Sequence, residues 1–340
     1  MNKEKSTNSG CNVPNIYIAG TGSFVPETIL TNFDLEKSLD TSHEWIVKRT
    51  GVSERRIADR NQACSDLAVH ACRNALEAAG MTIEDIGVII VATITPDTHC
   101  PAAANWLQAK LDAPHALTFD VTAACSGFIF ALNVAEQYLK TGFCKNILVV
   151  ASEIMSRTLD WKDRSSCILW GDGAGAAVLT TEGNSHQMLS THVHTDGANG
   201  QNLLMPGGGS STTPISYESV DKGLHTLRMI EASASVRVAV KWFAESCFEA
   251  IEHNKVAMEQ VDWVIPHQAN LRMLQAVAKR IDVPMEKFYL TVQKYGNISS
   301  ASVPIALDEA VRSGSVKDGQ LVLLTAFGGG LTWGSSLIRW

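Results

Sequence analysis

Apolar positions along the chain form two kinds of pattern, which alternate from one end of the sequence to the other. Short apolar runs predict buried strands at four places, residues 16–19, 88–93, 117–121 and 146–152. Apolar residues spaced by three and four predict helices over residues 65–79 and 127–139, and the glycines of residues 20–23 predict a turn after the first strand. Alternating strands and helices indicate an α/β fold.

Segments of the first half of the chain recur in the second half at a nearly constant spacing. Residues 84–90 resemble residues 259–265 at a spacing of 175, and both segments lead into a predicted strand. Residues 131–142 resemble residues 303–314 at a spacing of 172, and both segments end in a glycine. Two similar halves predict a duplicated α/β domain with pseudo-twofold symmetry.

The repeat and the local composition divide the chain into four segments. A polar extension over residues 1–14 lacks the apolar core of a signal peptide and is expected to be flexible. The N-terminal half covers residues 15–185, and the C-terminal half covers residues 223–340. Residues 186–222 are predicted to be a connecting loop, and the Gly-, Ser-, Thr- and Pro-rich stretch 195–217 is expected to be the most mobile part.

Composition narrows the class of protein. The 340 residues include 35 acidic and 28 basic side chains, and the net charge of −7 argues against nucleic acid binding. No apolar run reaches about 18 residues, so no transmembrane helix is expected. The eight cysteines show no metal-ligand spacing, so we expect reduced thiols in a cytoplasmic protein, with neither a disulfide framework nor a metal site.

Cys125 lies at the centre of residues 119–128, between a predicted strand and a predicted helix. Free backbone N–H groups at the start of that helix, and the positive end of its dipole, would favour a thiolate. Such a thiolate is a candidate nucleophile if a later part of the chain supplies a base. A lone cysteine in this setting can equally be buried and inert.

Two polar residues of the second half are expected to meet Cys125. His267 follows a predicted strand, where α/β proteins usually bind ligands, and the spacing of 172 pairs Cys125 with Asn297. The N–H groups of a histidine and an asparagine could stabilise the oxygen of an enolate or a thioester. A set of Cys, His and Asn also serves cysteine proteases, where the histidine is the base.

A run of three glycines follows Phe327 near the end of the chain. A stretch without side chains can form a floor beside a nucleophile or supply backbone N–H donors. It can equally be a tight turn between the last two strands.

Six segments, in order, resemble β-ketoacyl-acyl carrier protein (ACP) synthase III, the initiating condensing enzyme of type II fatty acid synthesis. They span nearly the whole chain after residue 15: residues 41–51, Ala-Cys-Ser-Gly at 124–127, Gly-Asp-Gly-Ala-Gly-Ala at 171–176, Pro-His-Gln-Ala-Asn-Leu-Arg at 266–272, residues 295–304 and residues 327–334. This family has the thiolase fold, a duplicated α/β architecture with α-β-α-β-α layers. Its initiating class uses Cys, His and Asn, whereas chain-elongating synthases use Cys, His and His, so Asn297 implies initiation.

The resemblance implies a reaction in two stages. Acyl-CoA first acylates Cys125, and malonyl-ACP then loses CO2 so that its enolate attacks the thioester and gives β-ketoacyl-ACP. His267 and Asn297 would hold the malonyl thioester oxygen, while backbone N–H groups of Cys125 and of the turn 328–330 would form a second oxyanion hole. The resemblance implies no metal and no cofactor, since coenzyme A enters as a substrate.

Further site residues are implied by the resemblance alone. Trp45 and Arg164 would sandwich the adenine of CoA by stacking. Arg49 and Thr41 would contact its phosphates or nucleotide, and Asn270 would contact the pantetheine arm.

The resemblance also implies partners. ACP is acidic, so a synthase of negative net charge needs a local basic face. The residues that fit this face by position are Arg237, Arg272, Lys279 and Arg280. A homodimer is implied as well.

Two places depart from the family pattern. Residues 232–235 have the sequence Ala-Ser-Ala-Ser where relatives usually carry a glycine followed by a polar residue, which puts a CoA contact in question. Cys100 stands where acetyl-specific relatives usually place a bulky aromatic that closes the acyl pocket of the dimer partner. The smaller cysteine predicts a deeper pocket for longer or branched primers, unless Trp106 or Leu107 fills the space.

Three other functions remain open at the level of sequence. The chain could be a related enzyme of secondary metabolism that passes acyl groups to an acceptor other than ACP. It could be a cysteine hydrolase that releases free acid from acyl-CoA. It could also be a non-catalytic binding subunit with the thiolase fold, although such subunits tend to lose the nucleophile.

Overall fold

In the computed structural model of this chain, residues 13–210, 213–229 and 232–340 are described, except for the side chains of residues 199 and 232–236. The strands are β1 (Ile16–Phe24), β2 (Ile29–Thr31), β3 (Glu54–Arg56), β4 (Val88–Ala92), β5 (Leu117–Val121), β6 (Asn146–Ile154), β7 (Asp172–Thr180), β8 (Gln187–Thr195), β9 (Leu203–Leu204), β10 (Arg228–Met229), β11 (Trp263–Pro266), β12 (Leu321–Gly328) and β13 (Thr332–Arg339). The helices are α1 (Asn32–Glu36), α2 (His43–Thr50), α3 (Cys64–Ala79), α4 (Ala103–Leu111), α5 (Gly127–Lys140), α6 (Tyr217–Asp221), α7 (Ala232–His253), α8 (Leu271–Ile281), α9 (Val292–Tyr295) and α10 (Ser302–Arg312). Within these ranges, no helix has the length and apolar character needed to cross a bilayer.

A nine-stranded sheet runs through the molecule in the order β11-β12-β13-β8-β1-β7-β6-β4-β5. β4 is parallel to β5 and β6, and β11 is parallel to β12, whereas the other neighbours are antiparallel. At the centre, the described parts of β1 and β8 pair at just two positions, Ile16–Met188 and Tyr17–Gln187. The sheet is therefore two half-sheets that meet along a short seam.

The C-terminal half-sheet repeats the strand order of the N-terminal one. Strands β8, β11, β12 and β13 take the places of β1, β4, β6 and β7. The counterpart of β5 is reduced to a single parallel bridge between Val264 and Phe288. This order confirms the duplicated α/β architecture predicted from the sequence repeat.

Apolar cores separate the layers of the molecule. One core packs α3 and α4 on the outer face of the N-terminal half-sheet and contains Leu67 and Leu148. A central core places α5 and α10 between the half-sheets and contains Leu132 and Leu307. A third core packs α7 and α8, including Phe243, on the outer face of the C-terminal half-sheet. These are the α-β-α-β-α layers expected of the thiolase fold.

The predicted turn at residues 20–23 is instead part of strand β1. The glycines are needed there because helix α3 crosses the strand at very short range. A Cβ on Gly20 would lie 2.4 Å from the Ala79 nitrogen, and a Cβ on Gly22 would lie 2.3 Å from the Ala71 carbonyl oxygen. Glycines at alternate positions therefore leave one face of the strand open to the helix backbone.

The connecting loop predicted over residues 186–222 is wrong for its first part. Strand β8 occupies that part and pairs with β13 along its whole length. Most residues of β8 are only half-buried, so the strand lacks the continuous apolar run that marks β4 and β6 in the sequence. The stretch 195–217, predicted to be the most mobile, contains the short strand β9 and the start of α6.

The pairing of Cys125 with Asn297 by a spacing of 172 residues is also wrong. Helices α5 and α10 end 172 residues apart but begin 175 apart, because α5 has 14 residues and α10 has 11. The equivalent residues before these helices are Ala124 and Ser299, whose φ angles are 46° and 47°. Cys125 therefore corresponds to Ser300, and Asn297 lies three residues further out.

Candidate active site

A short turn between β5 and α5 carries Cys125. The turn spans Ala124–Ser126, and two hydrogen bonds attach it to β13. The Thr332 hydroxyl donates to the Ala123 carbonyl oxygen at 2.9 Å, and the Ser126 hydroxyl donates to the Thr332 carbonyl oxygen at 3.0 Å. The C-terminal half of the chain thus fixes the position of a cysteine that belongs to the N-terminal half.

The Cys125 thiol is buried, and its surroundings oppose ionisation. Burial raises the thiol pKa to about 12; the Ser299 hydroxyl lowers the pKa, and the charge of Glu153 raises it further. Burial therefore opposes the thiolate expected at the helix start. The next two backbone N–H groups donate to carbonyl oxygens within the turn itself, so they are not free to stabilise the sulfur.

His267 follows strand β11 and is almost fully buried. Burial lowers the pKa of its imidazole to about 3, so the ring is neutral at physiological pH. Its Nδ1 atom lies 2.7 Å from the Ser302 hydroxyl, whose single proton can point to Nδ1 or to the Ser299 carbonyl oxygen at 2.8 Å. When that proton points to Nδ1, the imidazole carries its own proton on Nε2, which becomes a donor.

Asn297 is also buried, and a backbone contact decides which way its amide group faces. Its Oδ1 atom accepts a hydrogen bond of 2.8 Å from the Ser299 N–H. The Nδ2 amino group is therefore left as a donor for a ligand.

One cavity of about 530 Å³ brings these three side chains together. Cys125, His267 and Asn297 all line it, and much of the remaining wall is apolar, including Trp170 and Phe327. A few polar groups that converge in an apolar cavity are typical of a small-molecule site. The sequence predicted that these three side chains lie together, and they do. The repeat alignment that paired Cys125 with Asn297 is nevertheless wrong.

The glycine turn between β12 and β13 lies against Cys125. A Cβ on Gly328 would lie 2.7 Å from the Cys125 nitrogen, so glycine is required for this approach. Gly328 and Gly329 line the cavity, and a Cβ on Gly329 would lie 3.2 Å from Leu203. Gly330, with a φ of 135°, lies outside the described cavity wall and leads the chain into β13. The motif is thus both a cavity floor and a tight turn.

Trp45 lies beside two guanidinium groups. The Cζ atoms of Arg164 and Arg49 lie 5.3 Å and 5.2 Å from the centroid of its ring. Arg164 also pairs with Asp40 at 3.0 Å. The gap between Trp45 and Arg164 is too small for a further flat ring, so a stacked adenine requires Arg164 to swing aside. The nearby Thr41 hydroxyl is buried without a hydrogen-bond partner among the described residues.

Asn270 and Arg272 lie at the start of helix α8. Asn270 caps the helix by accepting a hydrogen bond of 3.0 Å from the Met273 N–H, and it also lines the cavity. Arg272 lines the same cavity, and its Nε donates to the Lys48 carbonyl oxygen at 3.1 Å. The resemblance implied ACP docking for Arg272, and the structure places this residue in the cavity wall.

The other predicted basic residues lie outside the described cavity wall. Lys279 and Arg280 are exposed in the last turn of α8, and Arg237 is exposed on α7. Cys100 is exposed in the loop between β4 and α4, and it does not line the cavity of its own chain among the described residues. The side chains of residues 232–235, where the sequence departs from the family, lie outside the described part.

Sequence reasoning missed the polar residues that surround the three predicted ones. Ser299 holds Asn297, and Ser302 contacts His267. The buried Glu153 raises the thiol pKa of Cys125. The run of serines directly after Asn297 could have indicated Ser299 and Ser302. Glu153 could have been noticed because it is an acidic residue in an otherwise apolar strand.

Comparisons with known proteins show the family to which this chain belongs. A sequence profile described as 3-oxoacyl-ACP synthase III matches residues 119–197, and its C-terminal counterpart matches residues 251–340. The chain is 49% identical over 323 residues to a β-ketoacyl-ACP synthase III of Caldanaerobacter subterraneus subsp. tengcongensis, which covers 95% of this chain and 97% of the relative. The chain belongs to the β-ketoacyl-ACP synthase III family.

Solved structures of similar proteins have the same fold. The 3-oxoacyl-ACP synthase III of Aquifex aeolicus VF5 is 43% identical, with a TM-score of 0.88 over 96% of this chain and 100% of that chain. A priming β-ketosynthase of the R1128 polyketide pathway is 33% identical, with a TM-score of 0.86 over 95% of this chain and 96% of that chain. The expected thiolase-type architecture is confirmed.

We expect the neutral His267 to make the folded protein sensitive to acid. The pKa of its imidazole is about 3 in the folded chain and 6.5 as its ordinary value, so the unfolded chain binds this proton first as pH falls. The stabilisation is complete above the ordinary value and is lost progressively below it, by about 2 kcal/mol at pH 5. Denaturant unfolding at pH 7.5 and pH 5 should show this extra loss in the wild type but not in His267→Gln. Equal losses in both proteins would contradict a buried neutral imidazole.

Proposed function

We propose that this protein is the initiating β-ketoacyl-ACP synthase of type II fatty acid synthesis, with Cys125, His267 and Asn297 as its reacting set. The observation that carries the proposal is the single cavity in which a buried thiol meets a neutral imidazole and an amide. Membership of the family supports the same reaction. The substrates are thioesters of CoA and ACP, so the proposed reaction uses no metal and no cofactor.

In the first half-reaction the Cys125 sulfur attacks the thioester carbon of acyl-CoA. The bond between that carbon and the CoA sulfur breaks, and CoA leaves. Gly328 approaches the Cys125 nitrogen closely enough for the two backbones to provide one oxyanion hole as the carbonyl oxygen gains charge. The largely apolar wall beside Cys125 offers few partners to water, which would slow hydrolysis of the acyl-enzyme.

In the second half-reaction malonyl-ACP loses CO2, and its enolate attacks the acyl carbon on Cys125. Asn297 Nδ2 and His267 Nε2 donate to the malonyl thioester oxygen as it gains charge. The Ser302 hydroxyl supports this role when its proton points to Nδ1, because His267 then carries its proton on Nε2. Loss of CO2 generates the carbanion, so no strong base is required for this step.

Intact-protein mass spectrometry tests the proposed function. Incubation with a panel of acyl-CoAs should add one acyl mass to the wild type and none to Cys125→Ser. Malonyl-ACP should then remove that mass and yield CO2 and β-ketoacyl-ACP. Asn297→Ala should still be acylated, but its condensation should slow by about 10²- to 10³-fold, as expected for a lost oxyanion donor. An absence of acyl mass with every acyl-CoA would overturn the proposal.

A second candidate function is priming in secondary metabolism. The similarity to a priming β-ketosynthase of a polyketide pathway favours it. In that case the acyl mass on Cys125 would persist with malonyl-ACP of fatty acid synthesis and disappear with another acceptor. Release of free acid without any acceptor would instead indicate a hydrolase. The presence of Cys125, His267 and Asn297 in one cavity argues against a non-catalytic subunit.

We propose that CoA and ACP bind at the entrance of the cavity. Trp45 and Arg164 take the adenine of CoA, and Thr41 and Arg49 take its phosphates or nucleotide; this rests on the family and on the guanidinium groups at Trp45. Asn270 takes the pantetheine arm from its place in the wall. Arg237, Arg272, Lys279 and Arg280 form the basic face for ACP.

Lys279→Glu should separate ACP docking from CoA binding. Lys279 lies two turns from Arg272 on the same side of α8 but outside the described cavity wall. We expect KM for malonyl-ACP to rise about tenfold, with KM for acyl-CoA unchanged. Lys317→Glu is the matched control, because Lys317 is exposed just before β12, whose other end, at Gly328, lines the cavity. Equal rises for both substrates would contradict the assignment.

We further propose that the protein is a cytoplasmic homodimer in which Cys100 faces the acyl pocket of the partner. The exposed edge strand β5, with Leu117 at 42% exposure, supports a partner on that side. The described cysteines are all free, as in a reducing compartment. Sedimentation as a monomer would remove the basis for the pocket assignment.

Cys100→Phe should narrow the choice of primer. A larger side chain would fill the deep end of the pocket, and each methylene excluded is worth about 0.8 kcal/mol of binding. Activity with longer or branched acyl-CoAs should therefore fall while activity with acetyl-CoA is spared. Cys100→Ser is the matched control, and an unchanged primer preference in the Phe variant would refute the assignment.

A further inference from the structure

Arg55 lies in the short strand β3, and its side chain is the largest one that is fully buried among the described residues. Its Nη1 donates to the Leu30 carbonyl oxygen at 3.0 Å, and its Nη2 donates to Asn32 Oδ1 at 2.9 Å and to the Ile168 carbonyl oxygen at 2.7 Å. Its Nε is buried without a hydrogen-bond partner in the described ranges. A cation buried against neutral acceptors is costly, and apolar side chains often serve stability as well. Stability alone therefore does not account for a guanidinium at this position.

A short segment, residues 168–171, holds Asn297 by its backbone. The Asn297 N–H donates to the Leu169 carbonyl oxygen at 2.8 Å, and the Gly171 N–H donates to the Asn297 carbonyl oxygen at 3.0 Å. These two bonds form an isolated parallel bridge between Trp170 and Asn297, outside the strands of the sheets. The backbone of Asn297 thus takes its position from this segment and not from a sheet.

The stem of Arg55 packs beside the same bridge. Two glycines allow the backbones to approach there. A Cβ on Gly171 would lie 2.4 Å from the Tyr295 carbonyl oxygen, and a Cβ on Gly296 would lie 2.5 Å from the Leu169 carbonyl oxygen. The Cβ of Arg55 would lie 3.3 Å and 3.6 Å from these two added atoms. Arg55 therefore fills the space beside both glycines, while its guanidinium holds the start of the segment.

The amide of Asn297 can act as an oxyanion donor only if it is placed accurately, because small displacements of a donor cost much of its effect. We propose that Arg55 is a positioning residue for condensation. Through the Ile168 carbonyl oxygen it fixes the segment 168–171, and through that segment it places Asn297 Nδ2. Arg55 itself lies outside the described cavity wall. This inference deepens the proposed function and rests on it for the reaction in which Asn297 acts.

Arg55→Met should slow condensation and spare acylation. The turn that carries Cys125 is fixed by Thr332, not by residues 168–171. Mass spectrometry at saturating acyl-CoA should therefore give an acylation rate within about twofold of the wild type. Condensation of the preformed acyl-enzyme with saturating malonyl-ACP should slow about tenfold. Equal slowing of both half-reactions would overturn the proposal.

A double variant decides whether Arg55 acts through Asn297. In the Asn297→Ala background, Arg55→Met should slow condensation by less than about twofold, because the amide that it positions is already absent. A general loss of stability would slow both backgrounds alike. A further tenfold loss in the double variant would show that Arg55 acts by another route, and it would overturn the positioning role.

Two other variants separate geometry from charge and from general packing. Arg55→Lys keeps the charge but loses the planar fork of donors, so it should recover only part of the condensation rate. Full recovery would show that charge suffices and would overturn the proposal. Arg157→Met is the matched control, because Arg157 Nη2 also donates to three backbone carbonyl oxygens, in residues 59–62 at 2.7 to 3.1 Å, but lies outside the described cavity wall. Both of its half-reaction rates should match the wild type.

Asn32→Ala keeps the test open if Arg55→Met does not fold. It removes one acceptor of Nη2 and leaves the carbonyl oxygens of Leu30 and Ile168 in place. Condensation should slow about threefold with acylation unchanged, and this slowing should vanish in the Asn297→Ala background. Thermal unfolding of each variant sets an assay temperature below every midpoint. Equal slowing of both half-reactions by Asn32→Ala would contradict the proposal.

Hydrogen exchange tests the positioning role without any substrate. Peptides that contain the Asn297 and Gly171 amides should exchange about tenfold faster in Arg55→Met or, if that variant does not fold, should exchange faster in Asn32→Ala. Peptides of the Cys125 turn should keep the wild-type rate. Unchanged exchange at Asn297 would overturn the positioning role alone. A wild type that no acyl-CoA acylates would overturn the proposed function, and the exchange rates would still decide whether Arg55 positions Asn297.

Discussion

Two hydrogen bonds between Thr332 and the turn that carries Cys125 join the halves of the chain at the reacting sulfur. His267 and Asn297 belong to the same half as Thr332, so their placement relative to the sulfur depends on this junction. The close approach of Gly328 to the Cys125 nitrogen is possible only while the junction holds. The site is thus positioned by hydrogen bonds from side-chain hydroxyls to backbone carbonyl oxygens, together with the close approach of two backbones at Gly328.

Burial sets the electrostatic character of the site. It raises the thiol pKa of Cys125, lowers the imidazole pKa of His267 and favours a neutral Glu153. A site in which each group prefers to be neutral suits a reaction that creates charge briefly and then passes it on. In the proposed reaction, neutral donors would meet the enolate oxygen in a low-dielectric cavity, where a hydrogen bond to developing charge is strongest.

The duplicated architecture could be predicted from the sequence, as could the meeting of Cys125, His267 and Asn297 in one cavity. Apolar runs, helix boundaries and short motifs are local features, which a sequence shows directly. Sequence reasoning missed β8, whose half-buried residues lack an apolar run, and it mispaired Cys125 with Asn297, because the shorter α10 shifts the register by three residues. The contacts of Glu153 and Ser302 could not be predicted, since each joins segments far apart in the chain. Local sequence patterns predict the helices and strands, whereas hydrogen bonds between distant segments depend on how those helices and strands pack.

The seam between β1 and β8 has a consequence for how such a chain can change during evolution. With two residue pairs joining the half-sheets, little of the backbone ladder ties one half to the other. Contacts such as Ser126 with Thr332 and Ser300 with Ala92 must therefore be matched across the halves. A chimera of two relatives joined at the seam would preserve both half-sheets but would misplace the Cys125 sulfur. The two halves are therefore expected to evolve together.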